Sequence, residues 1–200
     1  MKYDFDIPYD DKVDYTNYYY FEKAFNQEEI RRIHGLADQV DFIQATTEND
    51  DGSEELETVR KSSIKWLPKN EDSFWLYNKV GEMAMEANDN MYKFDLTNFR
   101  EEFQYTIYPK DAGHYDWHMD IGGSGLLTQR KLSCTIELSE HGADYEGGKL
   151  QANLGRGITE MPQGAGTAVF FPSFFVHRVT PVTKGVRKSL VLWMGGHHYK

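Results

Sequence analysis

His118 and Asp120 stand two residues apart in Tyr115-Asp116-Trp117-His118-Met119-Asp120. On an extended strand, residues i and i+2 share a face, so this spacing sets an imidazole beside a carboxylate. Together they make two-thirds of a triad of two histidines and one carboxylate, which leaves one side of a metal ion open. The third ligand has to come from a distant part of the chain. His177 is the best placed candidate, because it follows an apolar strand and precedes a turn within residues 171–181. An H-x-D pair alone is a weak signal, and His114-Tyr115-Asp116 is a second one. The context downstream of His177 is more informative. Arg187 lies ten residues further on, after Thr183-Lys184-Gly185, which reads as a turn, and Ser189 shares a strand face with it. A guanidinium pairs with a carboxylate through two parallel bonds, which an ammonium cannot copy. With a hydroxyl beside it, the arginine suits a small dicarboxylate.

These side chains need strands to hold them. From about Phe99 onward, short β-branched and aromatic segments alternate with turn signals, and FQYTIY, KLSCTIEL, KLQANL, TAVFF and SLVLWM are the clearest strands. Several short strands in one half predict a sandwich or barrel, not a parallel sheet with crossover helices. Two helices precede them. Residues 26–39 carry Asn26 as N-cap and Glu29 at the capping-box spacing, with Ile30, Ile33 and Leu36 as the apolar stripe. Residues 71–90 place Phe74, Leu76, Val80, Met83 and Ala87 near one face. The aromatic start, with Tyr15, Tyr18, Tyr19 and Tyr20, reads as an arm with surface to pack. The acidic stretch 46–56 reads as a mobile loop, and loop 46–58 is a candidate lid.

The chain has 200 residues, which predicts one domain: an arm, helices and loop over 1–97, and a β core over 98–196. The net charge is −10, with most of the excess in residues 1–20 and 41–60. An acidic chain with no basic stripe is a poor partner for nucleic acid or an anionic membrane surface. A single cysteine, Cys134, excludes an internal disulfide framework, and the start of the chain has no signal-peptide pattern. A cytoplasmic location is the expectation. Cys134 reads as a small buried hydrophobe. His34, His141 and the pair His197-His198 read as structural or exposed.

The run from about Tyr105 to Gly195 resembles the Fe(II)- and 2-oxoglutarate-dependent dioxygenases, most closely the prolyl 4-hydroxylase-like branch and the PKHD-type hydroxylases. The resemblance rests on Tyr108, on 113–120 and Leu132–Ser139, on Tyr145-Glu146-Gly147-Gly148-Lys149-Leu150, and on 177–187. Val59-Arg60-Lys61-Ser62 matches more loosely. The resemblance implies an α+β, mainly β fold: a double-stranded β-helix, jelly-roll and cupin-like, with N-terminal supporting helices. It implies His118, Asp120 and His177 as iron ligands and Arg187 as the partner of the distal carboxylate of 2-oxoglutarate. Tyr108 and Ser189 are expected at the cosubstrate, and Tyr115, Trp193 and Arg130 near the substrate. Oxygen is the second cosubstrate and ascorbate an accessory reductant.

The implied reaction is hydroxylation of an unactivated C–H, with a prolyl residue of a protein or peptide as expected substrate. A free amino acid, a small metabolite or an alkylated base stays open as the target. Two other classes remain: a zinc hydrolase on the same ligands, and a non-enzymatic jelly-roll binding module. One position departs from the family pattern. Glu137 stands where relatives often carry an aromatic residue, so it either alters the cosubstrate pocket or faces outward.

Overall fold

The structure, a computed structural model, describes residues 14–44, 58–99, 101–155 and 157–197. The predicted loop 46–56 and His198 lie outside the described residues. In chain order the elements are β1 (Tyr19–Phe21), α1 (Gln27–Asp38), β2 (Ile43–Gln44), β3 (Arg60–Lys61), β4 (Ser63–Leu67), α2 (Phe74–Ala87) and β5 (Leu96–Asn98). The second half adds β6 (Phe103–Tyr108), β7 (His114–His118), β8 (Arg130–Glu137), β9 (Tyr145–Gly147), β10 (Leu150–Asn153) and β11 (Ile158–Glu160). It ends with β12 (Ala168–Pro172), β13 (Val176–Val179), β14 (Val182–Gly185) and β15 (Arg187–Gly196).

The large sheet runs β1-β12-β8-β15-β6-β4-β2, with β5 also on β15. The small sheet runs β11-β10-β13-β7-β3, and β14 pairs with β9. From β6 onward the core strands alternate between the two: β6, β8, β12 and β15 in the large sheet, β7, β10 and β13 in the small one. That winding is a double-stranded β-helix. Both predicted helices form. Asn26 caps α1 by accepting from the Glu28 and Glu29 amides, and Glu29 returns a bond to the Asn26 amide, which closes the capping box. The buried face of α2 is Leu76, Tyr77, Val80, Ala84 and Ala87. Phe74, at its first position, is exposed instead.

The period of two along the large sheet places the site. Leu132, Cys134 and Ile136 of β8 pack with Leu190, Leu192 and Met194 of β15, and with Ile33, Leu76 and Val80 of the helices. Each such fully buried aliphatic contributes about 1.5–3 kcal/mol from apolar burial. The alternate residues of the same strands, Ser133 and Glu137, Arg187 and Ser189, are buried on the other face, between the sheets. There Tyr108, Val169 and Phe171 meet Leu150, Ala152, Phe175, Val179 and Val182.

Two local features differ from the sequence reading. Ser63–Leu67 is a strand, β4, paired with β6. Lys65 breaks its apolar pattern, but its ammonium is buried and donates to the Ala37 carbonyl near the end of α1 at 2.7 Å. Thr183-Lys184-Gly185 belongs to β14, and the chain turns only at Gly185, with φ at 69°. A Cβ at Gly185 would overlap the Asp144 carbonyl oxygen.

Candidate active site

β7 and β13 are antiparallel neighbours, and their register sets His118 directly opposite His177. Asp120 follows just after β7, where its amide donates to the Ser173 carbonyl at 2.9 Å. The three side chains converge. Their ligand atoms all lie within 4.8 Å of one another. His118 Nε2 is 3.7 Å from Asp120 Oδ1, and His177 Nε2 is 3.6 Å from Asp120 Oδ2. These separations are too long for hydrogen bonds and suit groups placed around a common ion.

Hydrogen bonding fixes which atoms are on offer. His118 Nδ1 lies 2.7 Å from the Asp116 carbonyl, and His177 Nδ1 lies 2.9 Å from that of Phe175. A carbonyl only accepts, so each Nδ1 carries the proton and each Nε2 keeps a lone pair for a metal. Burial, followed by the neighbouring His177, pushes the His118 pKa down to about 3, so its ring is neutral. Burial alone would raise the Asp120 pKa. His177, His118, Arg130 and the Ser133 hydroxyl outweigh it and hold the carboxyl below the usual carboxylate range. The Ser133 hydroxyl donates to Asp120 Oδ2 at 2.6 Å, and Ser173 Oγ sits 2.9 Å from Ser133 Oγ. Since the carboxylate can only accept, Ser133 donates to it and Ser173 donates to Ser133.

Arg187 opens β15 opposite Tyr108 and is fully buried. Its Nε donates to Glu137 Oε2 at 3.1 Å and its Nη2 to Glu137 Oε1. Burial alone would lower the Arg187 pKa, but Glu137, Tyr108 and Tyr145 raise it, so the guanidinium is charged. Two buried polar atoms here have no partner among the described residues: Arg187 Nη1 and Ser189 Oγ. Buried polar atoms are nearly always satisfied, so a pair of orphans on one strand face marks a place for a ligand.

The profile of the 2OG-Fe(II) oxygenase superfamily matches residues 103–195, which span β6 to β15. This run is similar to that superfamily over slightly less than half of the chain. A PKHD-type hydroxylase of Janthinobacterium sp. (strain Marseille) is 38% identical over 123 residues, covering 58% of this chain and 54% of the relative. The chain thus spans about half the length of that curated relative. A Pseudomonas putida prolyl-4-hydroxylase superposes with a TM-score of 0.69 at 21% identity, over 90% of this chain and 92% of its own. A Trichoplax adhaerens prolyl hydroxylase, solved with a hypoxia inducible factor peptide fragment, gives 0.72 at 15% identity, over 89% and 83%. Both share this chain's fold.

The other residues expected at the site divide. Tyr108 lies under the Arg187 guanidinium, 5.1 Å from ring centre to Cζ. Tyr115 stacks on the His118 ring at 3.5 Å and carries the Arg60 guanidinium on its ring at 4.5 Å. Trp193 is buried beside Ser133 in the β8–β15 register, and its Nε1 has no partner among the described residues. Arg130 is largely engaged within the protein. It pairs with Glu101 through Nε, at 2.7 Å, and Nη2, and its Nη1 donates to the Asp120 carbonyl at 3.1 Å. Its Cζ lies 3.6 Å over the Trp193 ring.

His34, His141 and His197 stand apart, against Tyr105, Tyr145 and Asp95. His114 faces the carbonyls of Ala112 and Thr58. Cys134 is buried, which pushes its thiol pKa up. Sequence reasoning missed Ser133, Ser173 and Tyr145. The one signal was the alternation of KLSCTIEL, which sets Ser133 and Glu137 on the face opposite Cys134. Glu137 does not face outward.

Proposed function

We propose that this protein is an Fe(II)- and 2-oxoglutarate-dependent dioxygenase that hydroxylates an unactivated C–H bond. The expected substrate is a prolyl residue in a protein or peptide. The observation that carries this reading is the convergence of two imidazoles and one carboxylate on a shared point. That donor set fits iron(II) with one side left open. The unpartnered Arg187 Nη1 and Ser189 Oγ fit the distal carboxylate of 2-oxoglutarate. Bound iron and 2-oxoglutarate would supply the oxidising power, with one oxygen atom of O2 entering the C–H bond and the other entering succinate as carbon dioxide leaves.

The chain's own residues do the positioning. His118, Asp120 and His177 would hold the metal, with the Asp116 and Phe175 carbonyls fixing the imidazoles in the ligating tautomer. Arg187 and Ser189 would anchor the cosubstrate tail, and Tyr108 would flank it. Phe171, Phe175, Val179 and Leu150 keep water from the space between the sheets. Tyr115, stacked on His118, would meet a peptide substrate, and the buried Trp193 would back the site from beside Ser133. A peptide substrate is supported by the fold shared with a prolyl hydroxylase solved with a bound peptide fragment.

The test is anaerobic titration with Fe(II) and 2-oxoglutarate, read by the weak visible charge-transfer band of the chelate. Proline-containing peptides would then be assayed with ascorbate for gain of one oxygen atom. A band that weakens in Arg187→Ala supports the reading. Tight zinc binding with no band would replace it with hydrolysis, and no metal binding would replace it with a binding module.

A further inference from the structure

Arg187 already has a carboxylate. Glu137 is fully buried, and it takes the Nε/Nη2 edge of the guanidinium. It is held there from the other side: the Tyr145 hydroxyl lies 3.5 Å from Glu137 Oε2, and Gln163 Nε2 donates to that hydroxyl at 3.0 Å. A guanidinium has five N–H donors in a fixed plane. Glu137 leaves the Nη1 side, and this is the side whose nitrogen has no partner among the described residues. The two ionised side chains cancel, so a second carboxylate brings a net negative charge into a buried place. Like charges in low dielectric oppose one another strongly.

Resting on the proposed 2-oxoglutarate reading, we infer that Glu137 is a specificity-determining residue for the cosubstrate tail. It confines the ligand's distal carboxylate to Arg187 Nη1 and Ser189 Oγ, and it reduces the advantage of a charged tail over an uncharged one. The site therefore receives 2-oxo acids with little preference for a second carboxylate. With a neutral residue at 137, the same arginine would demand one.

The measurement is calorimetric binding to the full chain loaded with Mn(II) in place of iron. The two ligands are 2-oxoglutarate and 2-oxohexanoate, a 2-oxo acid with an uncharged tail. The quantity read is the ratio of their dissociation constants, so loss of metal or of general affinity cancels. Wild type is expected to prefer 2-oxoglutarate by less than about thirtyfold, at or below the low end for an uncompensated buried charge pair. Glu137→Gln, which keeps the shape and removes the charge, is expected to raise that preference by at least about tenfold. Glu137→Asp, which keeps the charge, stays near wild type.

A Glu137→Gln ratio equal to or below that of wild type would overturn the inference, because Glu137 would then only be orienting the arginine. If Glu137→Gln does not fold, the wild-type ratio decides alone, and a preference above about thirtyfold would overturn it. Failure of the underlying reading looks different, since neither 2-oxo acid would bind wild type and Arg187→Ala would change nothing.

Discussion

Removing the hydroxyl of Ser133 tests how Asp120 is prepared for a metal. In Ser133→Ala, Asp120 Oδ2 loses the donor held at 2.6 Å, and the Ser173 hydroxyl loses its acceptor. A hydrogen bond to a charged group contributes about 1.5–3 kcal/mol. The short distance belongs to the charge-assisted class. The carboxylate would then be freer to turn, and part of that energy would be lost from metal binding. At about 1.4 kcal/mol per decade, the dissociation constant should rise roughly 10–100-fold.

Calorimetric titration with Mn(II), and anaerobically with Fe(II), would read the change. A thermal melt of the chelated protein would show that the fold is kept. Ser173→Ala is the control. Ser133 still donates to Asp120 in that variant, so the loss should stay below about threefold. A folded Ser133→Ala protein that binds metal within about twofold of wild type would refute the reasoning. It would mean that the strand register alone fixes Asp120.

Three further outcomes follow from the geometry. The His118 pKa is pushed down to about 3, first by burial and then by His177. The unfolded value is about 6.5. Between these values the unfolded chain binds the extra proton. The His118 contribution is therefore complete above pH 6.5, and stability falls as pH drops, by about 1.4 kcal/mol per unit. Urea unfolding of chelated protein at pH 6.5 and 5 should show that slope flatten in His118→Gln, and an unchanged slope would contradict it. Arg130→Lys should weaken metal binding nearly as much as Arg130→Met, by about tenfold in calorimetry, because only the fork holds Glu101 and the Asp120 carbonyl together. An effect confined to substrate KM would make Arg130 a substrate contact instead. Gly185→Ala should cost at least about 2 kcal/mol in denaturant unfolding, from its φ of 69° and the overlap with the Asp144 carbonyl. A loss below about 0.5 kcal/mol would show that the turn relaxes.

Legibility followed the range of the forces involved. The α1 capping box was readable because it is made by Asn26 and Glu29, three residues apart. The five clearest strands were readable from local alternation, and His118 with Asp120 from spacing two. His177 needed a judgement on context, and its meeting with His118 is a matter of register between strands far apart in the chain. β4 was missed because Lys65 breaks the apolar pattern, and its buried partner is a helix carbonyl no local rule supplies. Ser133 and Tyr145 were missed for the same reason. A serine in a strand carries no mark of the carboxylate it will meet. Glu137 could be noticed as unusual, but which way its carboxylate points depends on Arg187, fifty residues on. Arg130 was expected near the substrate by resemblance, whereas its visible bonds run to Glu101 and the Asp120 backbone.

The two faces of β8 and β15 have one more consequence. Leu132, Cys134 and Ile136 serve the helices while Ser133 and Glu137 serve the site, so each strand is read in two interleaved frames. Deleting one residue inside β15 would carry Arg187 and Ser189 over to the helices and push leucines into the space between the sheets. Deleting two would restore both frames at once. Inheritance of such a strand should therefore tolerate changes of length by even steps and reject odd ones. No partly shifted chain can keep the fold while losing only the chemistry, since a single slip damages both together.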